Sequence, residues 1–484
     1  MKPSDAKEVM RQMEENRVEM RNFVWNRDAI TYIPVRFYLV AKDDGSKRPS
    51  ELVALKALCD LNENYTEQDV QFYLKELKPV NSTEINADVI NVDPSIIKTT
   101  LNISYNALNI IMVEGIGEEG VLAYYQPPAT GQLRADWIVA LRSEIQNDSR
   151  VLTHEMGHYL SLPHPFYGWE STLTGWDPAI NGNPVGALAP DNETLNEKVN
   201  GSNCHDAGDK ICDTPADYMF PYPGPDPNDP TNTQCFYNLS AKDPNGVPLQ
   251  PEMKNYMNYA TCTDYFFTDG QKTEMQNSLF SSSRSYLNLG PVPNLTPVTS
   301  TPTLIAPLDF TETYNNVKFE WTPVPGADRY WLEITPIGGI SQRIIVQDNT
   351  YTAYNLEANK NYFWKVKGFN EYATCAGTSA QELFKTGGTL SDTFEIPTID
   401  DWDVSPNPVG SNTSFFVNVK SNGGVEAKIM LYTMTGQLVN SAAKTFLPGY
   451  SSFEVPVNGL AVGLYLVALR TDEGIETKRI AIVK

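Results

Sequence analysis

Long apolar runs are missing from this chain of 484 residues. No stretch reaches the roughly 18 consecutive apolar residues of a membrane-spanning helix. Met1–Val24 is polar where a secretory leader would need a charged head followed by an apolar run. No transmembrane segment is expected, and any targeting peptide is expected to have been removed already. Positive charge is also short: 37 Lys and Arg stand against 59 Asp and Glu, a formal charge of −22 with no basic run to offset it. That balance repels phosphate backbones and anionic lipid heads, so nucleic acid and membrane surfaces are excluded as partners. Cysteine is scarce, with six residues, too few to staple a chain of this length. Four of them fall within Cys204–Cys262, while Cys59 and Cys375 stand alone. With no CxxC pair to favour metal ligation in the cytosol, the cluster reads as local disulfides and an oxidising compartment, and the lone Cys375 as a small buried hydrophobe. Histidine is scarcer still, at four.

What is present is globular. A 41 % hydrophobic and 20 % charged composition supports packed cores, and the length supports about three domains. Residues 5–20 have helix-forming composition and read as a short exposed helix inside an N-terminal extension, 1–30. The β-branched run Ile33–Val40 opens the first domain as a strand. Residues 49–77 show helical periodicity through Leu52, Leu55, Leu58 and Leu61, and Ala107–Val113, Gly120–Tyr125 and Trp137–Leu141 read as strands. This gives an α/β (α+β) domain over 31–290. Residues 221–251, rich in proline and glycine, form a long irregular segment expected to cover a site. The stretch 291–302 is a linker by composition, and beyond it the pattern changes to short strands broken by turns, in two all-β modules over 303–388 and 398–484.

Three of the four histidines lie in His154-Glu155-Met-Gly-His158-Tyr-Leu-Ser-Leu-Pro-His164. At 3.6 residues per turn, His154 and His158 stand one above the other on one helix face and can place two imidazoles on one zinc ion. Glu155 sits about 100° round from His154, within reach of a water beside the metal without taking a ligand position. Asp148 or Ser149 can cap this helix, Leu152, Met156 and Tyr159 bury it, and Pro163 ends it, so that His164 returns from outside as a third ligand. Three histidines with one open position describe a catalytic zinc site, not a closed structural one.

The motif resembles that of the metzincin metallopeptidases, HExxHxxGxxH, with Ser161 in place of the glycine that takes a left-handed turn. A serine adopts that turn at a cost of roughly 1 kcal/mol. The resemblance implies a methionine turn, matched by Met257 in Asn255-Tyr-Met257-Asn-Tyr259. It also implies Tyr259 as a donor to the developing oxyanion and Glu155 as general base. Within the metzincins, Gly208-Asp209…Cys212-Asp213-Thr214-Pro215-Ala-Asp217 and Phe267-Thr268-Asp-Gly270-Gln271 look like pappalysin-type peptidases. That resemblance implies calcium near Asp206, Asp209, Asp213 and Asp217, whose hard oxygens suit the ion, although EF-hand spacing is absent. His205 reads as a loop histidine. Of the three connectivities open to the clustered cysteines, Cys204–Cys212 with Cys235–Cys262 is favoured.

Residues 303–387, with Trp321 and Tyr362, look like a fibronectin type III sandwich. Residues 404–484, with Val404-Ser-Pro406-Asn-Pro408, Thr435-Gly436-Gln437 and Gly463-Leu-Tyr465, look like the C-terminal sorting domain of type IX secretion in Bacteroidetes. That resemblance implies export across the outer membrane and the secretion machinery as partner. The function expected of the whole is a secreted zinc endopeptidase acting on protein or peptide substrates, which would pair with a sheet edge at Gly120–Tyr125. The alternative is a non-catalytic adhesin or glycan-binding protein carrying a decayed scaffold. With no cysteine in the first 30 residues and Cys59 inside the first domain, no cysteine switch is expected, though residues 1–30 could cover the cleft with other groups. Asp264, just past the methionine turn, is the candidate for a preference for basic residues after the scissile bond.

Overall fold

The structure, a computed structural model, describes all residues except 1–2, 24–29, 129–134, 148–149, 171–181, 219–234, 238–239, 288–291, 315, 355, 390–395, 412 and 435–437. In the first domain, period-two alternation sorts each strand's side chains between two cores. Strand β1 (Thr31–Ala41) sends Ile33, Val35, Phe37 and Leu39 to one face and Tyr38 and Val40 to the other. With β2 (Val70–Asn81), β3 (Leu108–Val113), β4 (Ala123–Gln126) and β5 (Trp137–Leu141) it forms a sheet of order β2-β1-β3-β5-β4. The first four strands are parallel, and β4 lies antiparallel to β5 at the edge.

Helices α1 (Pro3–Met20), α2 (Glu51–Asn64), α6 (Arg150–Tyr159) and α7 (Asp269–Phe280) share the first core. Helices α3 (Thr83–Asp88) and α4 (Pro94–Leu101) cover the other face, and α5 (Arg142–Asn147) leads from β5 into α6. Two expectations are corrected here. The helix read over residues 49–77 ends at Asn64, and Asp69 turns left-handed (φ 56°) into β2. Val70, Phe72 and Leu74, apolar at every second position, reach the first core as a strand does. Helix α1 is not exposed: Val9, Met10 and Met13 join the same core, and Arg17 pairs with Glu274 of α7 at 2.9 Å. Each such fully buried side chain contributes about 1.5–3 kcal/mol.

The second domain packs the three-stranded sheet Leu304–Ala306, Asn316–Trp321 and Thr350–Tyr354 on a five-stranded one made of Asp309–Thr313, Arg329–Pro336, Gln342–Val346, Asn361–Phe369 and Glu382–Thr389. Trp321 and Trp364 fill its centre, and the Tyr362 hydroxyl accepts from Glu357 N at 2.8 Å, the tyrosine corner of such sandwiches. The third domain is a second sandwich, with Trp402, Phe415, Tyr465 and Ile480 inside. Of the boundary features, part of the break near Thr386–Ser391 and the Thr435–Gln437 segment lie outside the described residues.

The first two domains are joined. Cys59 on α2 forms a disulfide with Cys375, so neither is lone or free as the sequence spacing implied; a separation of 316 residues leaves no local trace. Trp331 and Phe369 of the sandwich enter the first domain's core, and Trp331 Nε1 donates to Glu51 Oε2 at 3.1 Å. Beside them Leu74 N on β2 donates to Glu371 O at 2.6 Å, and Tyr372 OH to Gln71 Oε1 at 3.0 Å.

Candidate metal centre

Helix α6 buries Leu152, Met156 and Tyr159 in the core, which fixes the face carrying His154 and His158. The helix stops in a left-handed residue, and it is Ser161, with φ 67°. Its N–H donates to His158 O, and Leu162 N to Gly157 O, both at 2.9 Å. The strain is offset by the hydroxyl, which accepts from Asn16 Nδ2 of α1 at 3.2 Å and pairs with Ser278 Oγ of α7 at 2.9 Å. Pro163 then turns the chain, and His164 comes back over the helix. The expected caps Asp148 and Ser149 lie outside the described residues.

The three imidazoles meet through one nitrogen each. His158 Nε2 is 3.0 Å from His154 Nε2 and 3.1 Å from His164 Nε2. Their outer nitrogens are occupied: His154 Nδ1 by Tyr256 O at 2.8 Å, His158 Nδ1 by Leu162 O at 2.7 Å, and His164 Nδ1 by Glu170 Oε1 at 3.4 Å. A carbonyl oxygen can only accept, so in at least two rings Nδ1 carries the proton and Nε2 presents a lone pair. Burial drives the protonated forms out, lowering His154 to about 3 and His158 and His164 well below the ordinary imidazole range. Neutral rings with converging lone pairs repel one another unless a cation sits between them, and the set fits a soft-to-borderline divalent metal.

Glu155 lies beside this centre, and its Oε2 accepts from Tyr125 N on β4 at 2.7 Å. Burial raises its carboxyl to about 7. The Tyr259 ring lies edge-on to His164 at 4.9 Å and tilted to His154 at 5.4 Å, and burial, then the charges of Glu155 and Glu170, hold its phenol protonated. Met257 is fully buried beneath α6, its N–H accepted by Asn255 Oδ1 at 2.8 Å. Asn255 in turn exchanges two amide hydrogen bonds with Gln271, the residue that completes the capping box of α7. A Cβ at Gly157 would fall 2.3 Å from Met257 Sδ. Gly157→Ala is therefore expected to lower stability by about 1–3 kcal/mol in denaturant unfolding, and its loss combined with Met257→Ala to be smaller than the sum of the two single losses.

The remaining candidates are dispersed. Asp209 is buried, accepting from Ile211 N and Thr214 Oγ1 at 2.9 Å each; Asp213 accepts from Thr268 Oγ1 and Gly270 N at the start of α7; Asp217 accepts from Asn258 Nδ2 at 2.7 Å; and Asp206 is exposed. Among the described residues these carboxylates do not form a cluster with metal-ligand spacing. Asp264 is exposed in a left-handed turn, φ 57°. Both favoured disulfides, Cys204–Cys212 and Cys235–Cys262, are formed, and His205 Nδ1 rests 3.3 Å from Cys212 Sγ. Sequence reading missed Glu170, the acceptor behind His164, and Tyr125, which touches Glu155 through its backbone. Neither has a spacing signal that would have shown it.

Residues 403–483 match the family described as the secretion system C-terminal sorting domain. The third domain is a type IX secretion sorting domain. It directs export across the outer membrane to the cell surface or the medium, and the secretion machinery is a partner of the chain. No helix among the described residues is long and apolar enough to cross a membrane. No curated protein matches the chain. Among solved structures, the FN1–FN3 domains of chicken CNTN1 share 14 % identity over 39 % of this chain and 69 % of theirs, with a TM-score of 0.17. The FN5 domain of Drosophila Lar shares 17 % over 19 % of this chain and 100 % of its own, with a TM-score of 0.16. Scores this low carry no weight, and the assignment of the second domain as a sandwich rests on its strand order and tyrosine corner.

Proposed function

We propose that the first domain is a zinc endopeptidase of the metzincin type, similar to the pappalysins, exported to act on proteins or peptides outside the cell. The observation that supports it most is the convergence of three imidazole Nε2 atoms beside a buried carboxylate that is held by one oxygen. His154, His158 and His164 would hold the ion. When bound, zinc supplies a Lewis acid that polarises a peptide carbonyl and brings the pKa of water toward neutrality. Glu155 takes the proton of the attacking water and returns it to the leaving nitrogen. The Tyr259 hydroxyl donates to the oxygen on which charge develops. Extended substrate pairs along β4, the sheet edge next to α6.

Calcium enters this reading only at Asp209, which has a second buried carboxylate, Glu197, near enough for its charge to help raise the Asp209 pKa. The test of the whole proposal is a metal analysis combined with casein digestion. One zinc per chain and cleavage abolished by a chelator and restored by zinc are expected; a zinc-loaded protein that leaves casein and a peptide library intact overturns it.

A further inference from the structure

A buried ion pair lies beyond the histidines and outside the chemistry assigned above. Arg284, in the turn Ser282–Leu287 after α7, is 1 % exposed, and its Nη1 pairs at 2.7 Å with Asp136 Oδ2, a carboxylate that is wholly buried. Asp136 also accepts from Tyr125 OH at 2.8 Å and from Tyr286 OH at 2.7 Å. Arg284 Nη2 donates to Tyr125 OH at 3.0 Å and to the carbonyl of Tyr159, and the guanidinium lies 4.1 Å over the Tyr159 ring. Its Nε has no acceptor among the described residues.

As a source of stability this arrangement is poor. Removing a guanidinium and a carboxylate from water costs several kcal/mol each, and apolar replacements of such pairs are often neutral or better. What the pair does that apolar packing would not is join two particular elements at fixed angles. Tyr159 is the last residue of α6, the helix that bears Glu155. Tyr125 is on β4, and its backbone N–H is the donor to Glu155 Oε2. The ring of Tyr125 is held at its hydroxyl by the ion pair while its backbone holds the carboxylate.

We infer that Arg284, Asp136 and the Tyr125 hydroxyl are positioning residues for Glu155: they fix β4 against α6 so that one carboxylate oxygen is pinned and the other is left to exchange the proton. The inference rests on the peptidase reading. A general base displaced by about 1 Å loses on the order of 10²-fold in rate, so the arrangement affects turnover more than binding.

The test is Tyr125→Phe, which removes the hydroxyl and keeps the ring, compared with Tyr38→Phe. Tyr38 is equally buried and donates to Asn109 Oδ1 at 3.3 Å on the other face of the sheet. Both variants should lose a similar few degrees of melting temperature. Tyr125→Phe should keep its zinc and its KM and lose about tenfold in kcat, while Tyr38→Phe keeps kcat; Arg284→Lys, which retains the charge on Asp136 but not the second arm to Tyr125, should fall between. Equal kcat in Tyr125→Phe and the wild type, with only the melting temperature lowered, overturns the inference, and if Tyr125→Phe does not fold the same criterion applies to Arg284→Lys. Failure of the peptidase reading itself shows separately, as a zinc-loaded wild type that cleaves neither casein nor a peptide library.

Discussion

Glu155→Ala protein is expected to hold the same one zinc per chain as the wild type and to cleave casein at least about 10²–10⁴-fold more slowly. The zinc content should survive because none of the three ring orientations depends on Glu155: the Nδ1 atoms are held by Tyr256 O, Leu162 O and Glu170. The rate should fall because no other carboxylate described beside the three Nε2 atoms can shuttle the proton; Glu170 faces His164 from behind and accepts from Gly168 N at 2.8 Å. The alanine also leaves Tyr125 N without its acceptor, at about 1–3 kcal/mol. Glu155→Gln separates the two effects, since an amide oxygen can still accept from Tyr125 N while the group cannot take a proton. It should melt near the wild type and be as inactive as the alanine. Retained cleavage by the glutamine variant would falsify the role of Glu155.

The second large effect is structural. Replacing Cys59 and Cys375 together by serine should lower the unfolding free energy by about 4–5 kcal/mol, because the bond closes a loop with a sequence separation of 316 residues. Trp331 and Phe369 should nevertheless keep the two domains docked, since their burial in the first core does not depend on the sulfur atoms. Differential scanning calorimetry is therefore expected to show a lower midpoint in the variant, and Trp331→Ala added to it should split the transition in two. A variant that melts with the wild type would mean that packing alone sets the stability of the junction.

The convergence of the three histidines was legible because its pattern is local. His154, Glu155 and His158 sit on one turn of helix, Pro163 ends that helix so that His164 returns, and the left-handed turn at Ser161 was implied by the resemblance to the metzincin motif. The strands β1, β3 and β5 were legible from continuous apolar runs. What could not be read is what depends on distant pairing. Cys59 meets Cys375 because two domains dock, Arg284 meets Asp136 across the core, and α1 is buried because α7 supplies it a surface. The strand at Val70 was obscured by leucines that keep helical spacing up to Leu61, and period two shows only once Val70, Phe72 and Leu74 are seen facing one core. The carboxylates Asp209, Asp213 and Asp217 illustrate the reverse: neighbours in sequence, they cap, brace and accept at separate places in the fold.

The sheet of the first domain ends in two strands, and the two ends meet different fates. An open strand edge is a template for other chains, and an exported protein carries that hazard wherever it meets extended polypeptides. At β2 the backbone of the second domain meets the edge at one point: Leu74 N is spoken for by Glu371 O, and the disulfide keeps the neighbour in place. β4 is the end left without such a neighbour among the described residues, and it lies beside Glu155. Under the proposed function, the sandwich would act on selectivity without touching a substrate. A sandwich seated at the remote edge hinders self-association there and, under the proposed peptidase function, would leave extended chains to add as a strand at β4, beside Glu155.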